Sequence, residues 1–354
     1  MASVFARKLA PELPALSGLD GRDLDEAFAA FIPCTLGPGE TLMDPEDDES
    51  PTLVVISGAL SLLTDGRPSL KLTRLHRGDV VGGGALHSGD TPSARLVTEG
   101  EVHVMLLEPA GAEWLKSVGN PALDSLQSAA LQTSARALRG ANQRLTSMAK
   151  LPSAPVSTAP PSFLQKLTGR FKRPRSAAPH PSAALASGPA FSGADPVAVG
   201  WLADRMTPIA LRDGEAVQIE RSGFKGAWLV AEGALVLSRD ITAIESDEMT
   251  VLGPGGVAGL PGLIDGDVSP LTCTARGPTW VYAIPEALGE AILTDPSCRP
   301  LRAAMLQALS AQIRVARQGL NATALEARRG AINDRTSLRA TSAALWSVPN
   351  ASSG

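Results

Sequence analysis

Three consecutive glycines, Gly82-Gly83-Gly84, come nearest to phosphate chemistry in this chain. Successive backbone N–H groups without side chains can converge on an anion. The competing use is a tight turn that needs positive φ, and the run is read here first as such a turn. His76, His87 and His103 lie in the same stretch. A metal-dependent enzyme would need imidazoles clustered with a carboxylate, and no two of these are close in sequence, so packing or surface roles are expected. Cys34, Cys273 and Cys298 form no CxxC pair, which argues against a structural zinc site or a disulfide framework and fits a reducing cytoplasm. The acidic run 44–49 lacks the glycine and distal glutamate of a calcium loop. No nucleophile–base pattern or phosphate-loop motif is present, so the expectation is a protein that is not an enzyme and calls for no cofactor.

A second set of chemistry-bearing residues lies at 162–175, SFLQKLTGRFKRPR. Phe163, Leu164, Leu167 and Phe171 recur at helical spacing, with Lys166, Arg170, Lys172 and Arg173 between or after them. Such a basic amphipathic stretch suits docking into a protein groove or onto anionic lipid at the membrane periphery.

The elements that position these residues follow from composition and repetition. At 354 residues, with 44% hydrophobic and only 4% aromatic residues, the chain has room for two cores built from Leu, Val, Ile and Ala. Residues 150–189 are dominated by Pro, Ala and Ser and read as an unstructured linker between two domains, 1–149 and 190–325. The flanks repeat. Gly39 and Gly214 stand 175 residues apart, as do Gly58 and Gly233, and Gly82 and Gly259 stand 177 apart. Short apolar runs broken by glycine, such as 52–63 and 227–238, predict strands joined by tight corners in a small barrel or jelly roll. Each half ends in a helix with a packing seam: Leu131, Leu138 and Leu145 in the first, and Leu306, Leu309, Ile313 and Leu320 in the second. That seam suits packing within one chain or between two copies. Residues 326–354 read as an unstructured tail.

LGPGETL, LVVISGALSLL and RGDVVGGGAL in the first half, and LRDGEAV, LVAEGALVLS and GGVAGLPGL in the second, resemble the cyclic-nucleotide-binding domain of catabolite-activator-type regulators and kinase regulatory subunits. The resemblance covers Leu16–Leu145 and Phe191–Leu320. It implies a mainly β fold with flanking helices (α+β), two tandem jelly-roll domains (double-stranded β-helices), each followed by a long helix. It also implies a ligand pocket at Gly82, Gly83, Gly84, Ala85, Leu86, Ser93 and Ala94, and again at Gly259, Leu260, Gly262, Leu263 and Ser269.

In that family a glutamate binds the ribose hydroxyl and an arginine neutralises the cyclic phosphate. Here Gly83 and Leu260 stand at the glutamate position, and Pro92 and Ser269 at the arginine position. Arg95 and Arg276 lie at odd offsets from those positions, which points them to the outer face of a strand. The sequence therefore predicts a non-enzymatic, cytoplasmic regulatory or scaffolding protein with degenerate cassettes that acts on a protein partner. The alternative is a sensor for a cyclic nucleotide or another anion. A net charge of −4 and a tail too short for a helix-turn-helix argue against DNA binding.

Overall fold

The computed structural model describes residues 9–48, 51–86, 92–148, 174, 177–188, 191, 194–218, 223, 225–240, 246–269 and 271–345. Alternating apolar runs broken by turns give the first module eight strands. These are β1 (Phe31–Leu36), β2 (Thr41–Met43), β3 (Thr52–Ser57), β4 (Leu60–Leu63), β5 (Lys71–Leu75), β6 (Val80–Val81), β7 (Arg95–Thr98) and β8 (Val102–Leu107). They form two four-stranded antiparallel sheets, β1-β8-β3-β6 and β2-β7-β4-β5. Three helices flank them: α1 (Gly21–Ala30), α2 (Pro109–Ser117) and α3 (Ala122–Met148). Asp20 caps α1 by accepting hydrogen bonds from the backbone N–H groups of Arg22 and Asp23.

The second module repeats the arrangement with longer strands. Helices α4 (Pro181–Ser187) and α5 (Pro196–Ala203) precede β9 (Thr207–Leu211), β10 (Ala216–Gln218), β11 (Ala227–Asp240), β12 (Ser246–Leu252) and β13 (Val257–Ala258). After them come α6 (Leu260–Asp265), β14 (Thr272–Ile284), α7 (Ala287–Thr294) and α8 (Arg299–Leu345). Strand β11 does the work of β3 and β4, and β14 that of β7 and β8, each running through a glycine with positive φ, Gly233 or Gly277. One half of each long strand gives β9-β14-β11-β13, and the other gives β10-β14-β11-β12. The order is that of the first module, so the repeat seen in the sequence is a repeat of folds. The predicted mainly β class, with a long helix after each jelly roll, is the observed one.

The two long helices, α3 and α8, pack along each other in register. Leu131, Leu138 and Leu145 are buried in one continuous core with Leu306, Leu309, Ile313 and Leu320. Residue n of the first helix lies beside residue n + 175 of the second: Arg299 is bound to Asp124 and Arg302 to Gln127. The seam considered above for a homo-oligomer is therefore filled within the chain, and these side chains are not on offer to a second copy. The reason is geometric, because each helix places its apolar stripe against its equivalent and satisfies it there.

Two sequence boundaries also change. The stretch assigned to the linker ends early: α4 packs on β11, its Leu185 is fully buried, and Tyr282 Oη donates to Pro179 O at 2.6 Å. Pro181 at the first turn and the ring of His180 accepting from Ser182 N start that helix, which composition alone hides. The tail expected to be unstructured continues α8 to Leu345, because no proline falls between Pro300 and Pro349 and the stretch is rich in Ala, Arg and Leu. The docking residues Phe163, Leu164, Lys166, Leu167, Arg170, Phe171, Lys172 and Arg173 lie outside the described residues. No described helix is long and apolar enough to cross a membrane.

Candidate functional site

Of the residues expected to form the first module's pocket, Gly82, Gly83, Ser93 and Ala94 line one void, and Leu86 is bonded to the turn that Gly82 opens. Gly82 has φ +81°, and a Cβ there would stand 2.0 Å from Pro51 O. Only glycine fits both conditions. Its carbonyl accepts from Thr52 Oγ1 at 2.8 Å, and Leu86 N donates to Gly83 O at 2.8 Å. From α3, Gln127 Nε2 donates to Leu86 O at 3.1 Å, fastening the turn 82–86 to the helix. Pro92, Ser93 and Ala94 lead into β7. A void of about 30 Å³ is left between these residues and Ser134, Ala137, Ser310 and Ile313 of the two long helices. Among the described residues its lining carries no charged side chain.

The second cassette is closed differently. Gly259 opens α6, and Leu260, Leu263 and Ile264 on it are buried in the core. Leu260, expected at the glutamate position, is thus a core residue. Ser269 is buried and turned on its own backbone: its Oγ donates to Leu271 O at 3.0 Å and accepts from Leu271 N at 3.2 Å. The void here is again about 30 Å³, bounded by Gly259, Gly262, Ser269, Cys273, and Leu138 and Gln312 from the two helices. Burial pushes the Cys273 thiol up to about 12, so it supplies no thiolate. A volume of that size is of the order of one water molecule.

Arg95 and Arg276 take no part in either void. Arg95 Nε binds Asp44 at 2.5 Å, and Arg276 binds Glu248. Among the described residues no three His, Cys, Asp or Glu side chains are grouped to hold a metal.

The charged groups that do organise this region were not found in the sequence. Arg139, from α3 of the first module, reaches the end of α6 in the second. Its Nε and Nη2 fork onto the Asp265 carboxylate at 3.0 and 2.7 Å, Nη2 also reaches Asp267 O at 3.2 Å, and Nη1 binds Val268 O. A bidentate arginine with little solvent exposure holds planar geometry firmly. At the start of the helix pair, Asp124 takes Arg299 Nε at 2.8 Å and Nη2 at 2.6 Å, and also binds Arg302. The Arg302 side chain is fully buried and gives Nη1 to Ile292 O and Asp295 O at 2.7 and 2.8 Å. Burial lowers the Arg302 guanidinium from its ordinary value and Asp124 pulls it back, while the hydrogen bonds to Asp124 raise Arg299. Extending the 175-residue repeat into the helices would have flagged Asp124/Arg299 as equivalent positions of opposite charge. Nothing in the sequence links Arg139 to Asp265.

Two jelly-roll modules with a shared strand order, each followed by a long helix, define the architecture. Among the solved structures that resemble the chain are regulatory and cyclic-nucleotide-binding domains. The regulatory domain of Toxoplasma gondii PKA with cAMP is 15% identical, covering 84% of this chain and 94% of that one at a TM-score of 0.30. A regulatory subunit of a cAMP-independent protein kinase A from Trypanosoma cruzi, bound to guanosine, is 14% identical, with 84% and 85% covered and a TM-score of 0.29. A cyclic-nucleotide-binding domain from Methylobacillus flagellatus is 19% identical over 39% of this chain and 78% of that one, at 0.34. No protein-family model and no curated protein matches the chain.

Proposed function

We propose that this chain is a non-enzymatic regulatory protein that works through contact with a protein partner, its two ligand cassettes converted into packing elements. The observation that carries this reading is the closure of both cassettes to about 30 Å³ with no charged side chain among the described residues of either lining. A cyclic phosphate entering such a site would lose its hydration with no paired charge to replace it, a cost of several kcal/mol. Leu260 and Ser269 support the same reading, since both are committed to internal contacts. Arg139 supports it further by fastening the end of α6, beside the second cassette, from the other module. Isothermal titration calorimetry with cAMP and cGMP at millimolar concentration is expected to show no saturable heat, and micromolar binding of either would overturn the proposal.

The linker segment 162–175 is the proposed contact for the partner, with Phe163, Leu164, Leu167 and Phe171 as apolar anchors between basic residues. A cytoplasmic setting is part of this proposal, and peripheral lipid is the competing surface. Deleting 162–175 should abolish co-purification of the partner; unchanged association would remove the segment from the proposal.

A further inference from the structure

The repeat is broken at one place that matters for ligands. In the first module α3 lies directly against β5. Gly140 makes this possible, because a Cβ there would stand 2.0 Å from Leu72 O. Arg144 Nε adds a hydrogen bond to Lys71 O at 2.8 Å. At the equivalent position, 175 residues on, α8 carries Val315, and Met249 of β12 takes the place of Leu72. A valine side chain forbids the close approach that glycine permits, so β12 stands off from α8. Leu72 is buried, whereas Met249 is only partly so and Val315 is half-exposed.

The gap is a cavity of about 690 Å³. That lies inside the range of about 300–1,000 Å³ typical of small-molecule sites and is far above either cassette void. Leu138, Leu237, Met249, Leu252, Leu271 and Ala311 make most of its wall apolar, and Thr250, Gln307 and Thr323 interrupt it with neutral hydrogen-bonding groups. Glu248, which is held by Arg276, and Arg314 also line it, one charge of each sign. The two opposite charges leave the wall without a net charge to select an ion, its area is mainly apolar, and a flexible thioether accommodates different shapes. We propose that the second module binds one uncharged, largely apolar molecule, with one or two hydrogen-bonding groups, between β12 and the two long helices. The cavity adjoins the void of the second cassette, sharing Leu138, Asn142, Leu237, Leu271 and Gln312 with it, and extends from there along β12 and α8 to Thr323.

The test is fluorescence titration of the full-length protein with N-phenyl-1-naphthylamine, a neutral apolar probe. One saturable site with blue-shifted emission is expected. Ala311→Trp, which fills the cavity, and Val315→Phe, at its half-exposed wall, should each weaken binding about tenfold or more. Val197→Phe, on an exposed face of α5, should leave binding unchanged. Circular dichroism confirms that each variant is folded; if Ala311→Trp is not, Val315→Phe decides alone. No saturable binding by the wild type, or binding that every folded cavity variant leaves within about twofold, overturns the proposal.

Discussion

Changing Asp124 to asparagine keeps its shape and removes the carboxylate from the fully buried Arg302. The guanidinium would then have the carbonyls of Ile292 and Asp295, a long contact of 3.4 Å to Gln127, and the Asp295 carboxylate acting on it through space without a hydrogen bond. Arginine cannot escape by releasing its proton, so the charge stays in the core without an anion in direct contact. Removing one partner of a buried ion pair costs about 3–5 kcal/mol. Arg299 is a contrasting partner of the same carboxylate, with a side chain 30% exposed, so Arg299→Ala should cost only about 1–2 kcal/mol. Arg302→Met placed on Asp124→Asn removes the stranded charge and should recover about 2 kcal/mol or more. Guanidinium unfolding followed by circular dichroism, with equal m values confirmed across the set, gives these differences. If Asp124→Asn costs under about 1 kcal/mol, or the added methionine recovers nothing, the account of the helix pair as anchored by a desolvated charge is wrong.

Other variants address the remaining contacts. Arg139→Ala should release the end of α6, speeding amide hydrogen exchange across 259–269 while exchange in β1–β5 stays unchanged; equal protection in that segment would contradict the role given to Arg139. Gly140→Val should destabilise by about 2 kcal/mol or more, since its Cβ meets a backbone carbonyl that cannot turn aside, whereas Val315→Ala should cost about 1 kcal/mol or less. Glu99 is held down to about 2, first by its hydrogen bond to Lys71, then by Ser61, with Arg74 adding charge. A carboxylate lowered in the folded state contributes stability above its unfolded value and loses it as pH falls. Glu99→Gln should therefore flatten the fall in stability between about pH 4.5 and pH 2, measured by urea midpoints across that window.

Much of the fold could be read because each repeated glycine does a backbone job that no other residue does cheaply. Gly58 turns β3 into β4, Gly233 lets the single strand β11 run through the same corner, and Gly82 and Gly259 open the two cassettes, all at positive φ. The turn reading of Gly82-Gly83-Gly84 follows from the same physics. What failed to show was anything that depends on a partner distant in the chain. Leu131, Leu138 and Leu145 advertise a seam without naming what fills it, because apolar stripes are not selective. Arg139 reaches Asp265 across 126 positions, and no local pattern encodes that. Residues 177–188 share the linker's Ala, Ser and Pro composition, and only the cap at His180 and the burial of Leu185 separate them from it.

The register of α3 against α8 has a consequence for variation. Two identical chains joined on this seam would carry the same residue at both equivalent positions, so a change that helps one side is imposed on the other. An Asp at position 124 would then bring two carboxylates to the place where this chain sets Asp124 against Arg299. A Val at position 140 would prise open both modules, where here only the second carries one, at Val315. Linking the two copies removes that constraint: each half can change alone while the other keeps the pair assembled. One module can remain a closed support while its twin acquires a new opening, a division of labour that a symmetric pair cannot encode.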